Sequence, residues 1–153
     1  WMATSTFNMI EGREGRTLRD KWQQEGTKTF LGLHSEGFPN LFIVSGPQGG
    51  GGSFNFTNAI EEHADYVVWM LNTMRENGAD VVDVKPEPEE AYAAHCQQAD
   101  TLTRPLRDCI TYYNGHGEAE AGSLAYYGGG AWHKYRIRAQ ETMDPYVFQS
   151  REK

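Results

Sequence analysis

The sequence predicts an α/β chain, and three stretches carry that reading. Leu41, Phe42, Ile43 and Val44 form a short apolar run bounded by turn signals, the pattern of a buried strand. The run passes through Gly46-Pro47-Gln48 and a Gly-Gly-Gly-Gly-Ser tract (residues 49–53) into a strongly periodic helix that begins near Asn58. Further on, Val81, Val82, Asp83 and Val84 make another short strand, after which Pro86 and Pro88 open a second helix.

The glycine-rich turn is the organising stretch. A strand that leaves through such a turn and re-enters as a helix presents free backbone N–H groups at the helix start, which suits an anionic or polar ligand edge. The same composition also fits a flexible linker or a plain strand-to-helix loop. Glycines alone do not separate the three.

Length and charge set the outer bounds. The 153 residues can bury one ordinary core. A formal net charge of -7 argues against nucleic acid or an acidic membrane as partner. No apolar run is long enough to span a bilayer, and nothing resembles a secretory signal. Cys96 and Cys109 lack metal-site spacing, so free thiols in a reducing, cytoplasmic compartment are expected, with no metal. The chain opens on Trp1 rather than Met and has no internal repeat, the abrupt start expected of a fragment.

Taken in order, Thr17 caps a short helix running to Trp22, with Asp20 three residues on, after a solvated charged turn at residues 11–16. Residues 29–33 read as a strand, and Phe38-Pro39-Asn40 as the turn that re-aims the chain towards residues 41–44. His34 reads as an ordinary polar loop residue. In the main helix, Asn58 and Glu61 make a capping pair and Gly78 a stop. Ile60, Ala64, Val67, Val68, Leu71 and Met74 recur at the spacing of one buried stripe. His63 lies beside the stripe and reads as structural, since no second metal ligand sits at helical spacing. The second helix is expected over residues 89–102, with Tyr92, Cys96, Ala99 and Leu102 on one face and Glu89-Glu90 as a solvated start. His95 reads as a surface or core residue.

Beyond Pro105 the pattern changes. Residues 110–117 and 125–136 are dense in aromatics and glycine, and a long segment of that kind is usually functional or ordered against a partner. Its aromatics could line a planar ligand or cover the core. There is no Ser/His/Asp order and no nucleophile elbow.

An ordered set of motifs spans nearly the whole chain. It comprises Gly15 to Trp22 (Gly-Arg-x-x-Arg-x-x-Trp), Phe30-Leu31-Gly32-Leu33, and Gly37-Phe38-Pro39-Asn40-Leu41-Phe42. Gly46-Pro47-Gln48, Asn55 and Ile60-Glu61-Glu62-His63 follow, then Tyr112 to Gly115 and Tyr126 to Arg136. Together these resemble the C-terminal region of Baeyer–Villiger flavin monooxygenases of the cyclohexanone and phenylacetone monooxygenase kind. The spacing from Gly46-Pro47 to Asn55 fits that family and favours a natural loop over an engineered linker.

The resemblance implies that residues 1–153 are the C-terminal portion of an FAD-binding monooxygenase domain, part of a Rossmann-like fold with short strands, two main helices and a long aromatic and glycine-rich C-terminal segment. Enzymes of this kind use NADPH to reduce FAD, and O2 then supplies the oxygen inserted beside a ketone to give an ester or lactone. On that likeness Gln48, Asn55, Phe56, Thr57 and Tyr112 would bind cofactor, and Phe54, Phe56 and Tyr112 would line the substrate pocket. Tyr112 matches the aromatic residue, usually tryptophan, on the mobile loop that closes over NADP to exclude water.

The departures from the family have consequences. Its FAD and NADP glycine fingerprints, its signature histidine motif and its catalytic arginine are not among these residues, so no catalytic residue is assigned here. Gly115-His116-Gly117-Glu118-Ala119-Glu120 replaces the usual loop ending and lacks its basic residue. The chain is therefore expected to be inactive alone and to need the N-terminal part of the enzyme, on the same or a separate chain. The alternative is a non-catalytic module that binds an apolar ligand or a partner chain.

Overall fold

A local hydrogen bond starts the first helix. The Thr17 hydroxyl oxygen accepts from the Asp20 N–H at 3.1 Å, capping α1 (Leu18–Glu25) as its sequence predicts. The computed structural model describes residues 5–49, 55–99 and 131–150. Phe54, Leu102, Cys109, Tyr112 and the aromatic stretch at 110–117 lie outside the described residues, as does 125–130.

After α1 come α2 (Phe56–Glu76), β1 (Val81–Val84), α3 (Pro86–Ala99), α4 (Ala131–Thr142) and β2 (Tyr146–Gln149). The described residues are thus α/β, with β1 and β2 paired antiparallel from Val81 opposite Gln149 to Val84 opposite Tyr146. α2 ends as expected at Gly78. That residue has a φ of 61°, its N–H reaches Arg75 O, and the Ala79 N–H reaches Met74 O, the paired bonds of a left-handed helix stop.

Two clusters fill the interior. Phe7, Leu18, Trp22 and Phe38 form the smaller, around α1. The larger gathers Phe30, Leu31, Leu33, Tyr66, Met70, Val82, Tyr92, Cys96, Trp132 and Tyr146 from both strands, three helices and the turn that follows α1. A buried ion pair joins the two regions: Lys21 Nζ of α1 lies 2.7 Å from Glu89 of α3 and donates to Glu36 O at 2.8 Å.

Several sequence expectations are corrected. Residues 29–33 and 41–44 are not strands: Phe30 and His34 form an isolated bridge around a tight turn, with Leu31 and Gly32 at φ 60° and 69°. Residues 41–44 run without a ladder partner among the described residues, so apolar composition alone made no sheet. β2 is a strand that the sequence reading lacked. α3 begins three residues early, because Pro86 suits a first helical turn. Glu89 is buried against Lys21 rather than solvated.

The cap and face of α2 also differ. Asn55, not Asn58, is its N-cap, accepting from the Thr57 N–H at 2.9 Å. Its buried residues are His63, Tyr66, Met70, Thr73 and Met74, whereas Ile60, Ala64, Val68 and Leu71 face outward. The helix is rotated so that polar groups with partners point inward, as the hydroxyls of Tyr66 and Tyr146 do by pairing in the core.

His34 is a core residue, 3 % exposed, ringed by Phe42, Tyr66 and Tyr146. Burial drives its pKa down to about 3, against a smaller opposing effect of the Leu41 backbone. It is therefore neutral in the fold, while the unfolded chain takes up a proton near pH 6.5. Stability from this group is complete above that pH and declines by about 1.4 kcal/mol per pH unit as the pH falls towards 3. His34→Phe is expected to flatten this acid limb. Urea midpoints of parent and variant at pH 7 and pH 5 measure it, and equal acid losses contradict it.

Candidate functional site

The site forms where the glycine-rich loop meets the start of α2. Gly32 and Gly49 pack backbone to backbone: a Cβ on Gly32 would lie 2.0 Å from Gly49 Cα, and one on Gly46 would lie 2.4 Å from Gly32 O. No other residue type fits that approach. The tight turn after α1 thereby becomes the floor of the loop.

Side chains then clamp the loop from three directions. Gln48 Oε1 accepts from the Thr29 N–H and hydroxyl, both at 2.9 Å, and its Nε2 donates to Thr27 O at 3.0 Å. Tyr92 of α3 donates to Gln48 O at 2.8 Å, and the single Thr29 hydroxyl hydrogen is shared between Gln48 Oε1 and Pro47 O. From α2, the His63 ring lies 2.8 Å from Gly49 O and accepts from the Ser45 N–H at 3.1 Å. Trp132 of α4 stacks on that ring with centroids 5.3 Å apart and donates to Leu31 O at 3.0 Å.

Beside this clamp lies a cavity of about 240 Å³ lined by Gly49, Asn55, Asn58, Glu62, His63 and Trp132, with Ala59 and His133 completing it. The first turn of α2 faces it without an acidic residue, so no carboxylate of that turn offsets the positive end of the helix dipole. Glu62 supplies the negative wall, 3.4 Å from His133 Nδ1 and 3.9 Å from Arg136, whose guanidinium lies over Trp132. The arrangement can hold a polar ring edge against helix N–H groups, with an aromatic and charged wall opposite. The described residues contain no group of three or more His, Cys, Asp or Glu able to hold a metal. Cys96 is buried with its thiol pushed up to about 12, so it is no nucleophile.

The sequence-predicted residues separate into two sets. Asn55 lines the cavity, and Phe56 and Thr57 are exposed on the adjoining helical turn, with Phe56 64 % exposed. Gln48 is 1 % exposed, and its side chain is spent on Thr27 and Thr29. Phe54 and Tyr112 lie outside the described residues. Sequence reasoning assigned no role at the site to Glu62, Trp132 or His133. The Ile60-Glu61-Glu62-His63 motif could have signalled two of the lining residues, since it places Glu62 and His63 about two turns below the cap.

Several solved structures of similar fold are monooxygenases. The chain matches cyclohexanone monooxygenase from Rhodococcus sp. Phi1 bound to NADP+ at a TM-score of 0.76 and 23 % identity, over 95 % of this chain and 28 % of that one. It matches polycyclic ketone monooxygenase from Thermothelomyces thermophila at 0.74 and 25 %, over 93 % and 24 %. By sequence the chain is related to the Baeyer–Villiger monooxygenases. It is 35 % identical to one from Streptomyces coelicolor over 140 residues, 88 % of this chain and 23 % of the relative. A Baeyer–Villiger monooxygenase of Penicillium patulum is 32 % identical over 72 % of this chain and 19 % of its own length. Phenazine N-monooxygenase of Lysobacter antibioticus is 30 % identical over 91 % and 25 %. The chain thus spans a quarter or less of the length of these relatives. No family model matches it.

Gly32→Ala should be among the most damaging single changes, because the added carbon meets Gly49 and φ is +69°. Overpacking and left-handed strain together predict a loss of about 3 kcal/mol or more. Denaturant titration measures it, and a loss below about 1 kcal/mol would show that the turn and loop do not pack in this way.

Proposed function

We propose that the chain is the C-terminal part of an FAD- and NADPH-dependent Baeyer–Villiger monooxygenase. The complete enzyme converts a ketone, O2, NADPH and a proton into an ester or lactone, NADP+ and water. The observation that carries this reading is the joining of two features: the sequence relation over 88 % of the chain, and the α2 start that faces a cavity at the position of the family's asparagine.

The described residues fit one edge of a flavin. The first turn of α2 is exposed, free of acidic side chains and fronted by a glycine loop that lets backbone come close. FAD, when bound, supplies the electron relay between NADPH and O2 and the activation of oxygen. This chain's own part is to meet the polar edge of the ring with the helix start and with Asn55. Phe56 and Thr57 border the ring or the ketone. The pyrophosphates belong to fingerprints carried elsewhere in the enzyme. The family resemblance assigns Phe54 to the substrate pocket and Tyr112 to the contact with NADP, and both lie outside the described residues.

The outward stripe of Ile60, Ala64, Val68 and Leu71 supports the same reading, since Val68 is 57 % and Leu71 52 % exposed. The part of the enzyme absent from this chain covers it, which removes apolar surface from water at both faces. The non-catalytic module remains the second reading, favoured by that same stripe.

Two experiments check the proposal. The purified chain alone should oxidise no NADPH and form no ester. Co-expression with a polypeptide carrying both nucleotide fingerprints should restore a yellow, ketone-dependent NADPH oxidase. A stable pair that binds no flavin favours the module.

Asn55 offers the finer test. Its Oδ1 caps α2, which leaves the Nδ2 amide as the donor it can present to the cavity. Asn55→Ala should cost about 1 kcal/mol from the lost cap. Asn55→Asp keeps the cap but lacks the amide donor, so in the complete enzyme it should release hydrogen peroxide at the expense of ester while melting near the parent. Parental coupling in the aspartate variant would confine Asn55 to capping.

A further inference from the structure

We infer that His63 is the positioning residue of this site, a fixed-tautomer latch that holds the glycine loop in register with the start of α2. The inference rests on the flavoenzyme reading above and adds to it a residue that reading did not use.

The geometry specifies the ring's state. Gly49 O can only accept, so Nε2, 2.8 Å away, carries the hydrogen. The Ser45 N–H can only donate, so Nδ1, 3.1 Å away, carries the lone pair. Both nitrogens are used, and the ring is the neutral Nε2–H form. Burial at 1 % exposure lowers its basicity and keeps it so, partly opposed by the bond to Gly49 O and then by the Glu62 carboxylate on its own helix.

The latch spans the loop at both ends. Ser45 and Gly49 flank Gly46-Pro47-Gln48, and the ring bridges them from a helix whose cap, Asn55, lies eight positions earlier. Two non-glycine residues of this loop, Ser45 and Gln48, sit in the left-handed region at φ 58° and 64°. Such backbone persists only where the surroundings hold it. Gln48 is held by Thr27, Thr29 and Tyr92, whereas Ser45 is held through its N–H by His63. Trp132 packs against the ring, with centroids 5.3 Å apart and planes inclined by 36°, and so restricts its movement.

Gly49, His63 and Asn55 all line the same cavity. Displacing the ring would therefore move the loop against the helix start where the flavin edge is placed. A small misplacement of that kind degrades chemistry more than binding.

The test uses the complete enzyme with His63→Phe, His63→Asn and His63→Gln. Phenylalanine fills the ring's volume but makes neither bond; glutamine can still donate to Gly49 O; asparagine can accept only from the Ser45 N–H. His63→Phe is expected to raise the peroxide-to-ester ratio by about ten-fold or more, with the NADPH KM unchanged, and His63→Gln, which keeps one of the two bonds, to recover part of the coupling. A phenylalanine variant that melts lower but couples like the parent makes His63 purely structural and overturns the inference. Should that variant fail to fold, asparagine decides in its place: lost coupling supports the latch, and parental coupling overturns it. Ring-nitrogen NMR of the parent must show Nε2–H, and an Nδ1–H or freely titrating ring also overturns it. An enzyme that takes up no FAD with His63 intact overturns the flavoenzyme reading and this inference together, whereas the other adverse outcomes overturn the inference alone.

Discussion

Everything in the site depends on two glycine backbones lying against each other. Gly32 and Gly49 approach so closely that a single added carbon would sit 2.0 Å from a neighbouring Cα. That approach leaves no room for side chains at the junction, so the loop is held from its edges. Gln48 reaches back to Thr27 and Thr29, Tyr92 reaches in from α3, and His63 reaches up from α2. Each of these groups is buried and hydrogen-bonded, a condition under which polar side chains specify one arrangement instead of merely tolerating it. The loop's glycines give freedom, and the clamp removes it.

The scaffold behind the loop is tied by charge. Lys21 and Glu89, both nearly inaccessible, join α1 to α3, and the second Glu89 oxygen accepts from the Glu36 N–H at 2.9 Å. Burial raises the Glu89 carboxyl above its ordinary range, which Lys21 and the Glu36 N–H partly offset. A buried pair of this kind adds little net stability against an apolar substitute, but losing one partner strands the other. Its contribution here is placement: α3 is fixed so that the Tyr92 hydroxyl meets Gln48 O.

Much of this was legible in the sequence wherever the signal is local. Thr17, Gly78 and Pro86 act within a turn of themselves, and each marks the helix end or start its chemistry suggests. The Gly46 to Asn55 stretch and the motif order were likewise readable, and they led to the correct class of fold. What escaped depends on partners distant in sequence. Residues 41–44 have strand composition but no neighbour to pair with among the described residues. β2 becomes a strand because β1 lies beside it, sixty-five positions away between Val81 and Tyr146. Glu89 is buried because Lys21 meets it, and His34 because Phe42, Tyr66 and Tyr146 close around it. Gln48 carried the family's motif, yet its side chain serves the scaffold.

The rotation of α2 shows how these long-range partners outrank the strongest local signal. Its apolar stripe has the clearer periodicity, yet Ile60, Ala64, Val68 and Leu71 face outward while His63, Tyr66 and Thr73 face in. Turning the stripe inward would strip His63 of Ser45 and Gly49 and Tyr66 of Tyr146. Each lost buried partner costs about 1–3 kcal/mol. The exposed stripe forgoes a comparable amount, about 25 cal/mol for each Å² of apolar surface left in water. A helix with two such faces keeps its polar-anchored side packed on this chain and leaves its apolar side open to cover. On the proposed reading one helix therefore does two things at once: its inner face sets the loop, and its outer face seats the rest of the enzyme. On that reading a shift of the helix would carry Asn55 with it and would reach the Ser45 to Gly49 turn through the His63 ring.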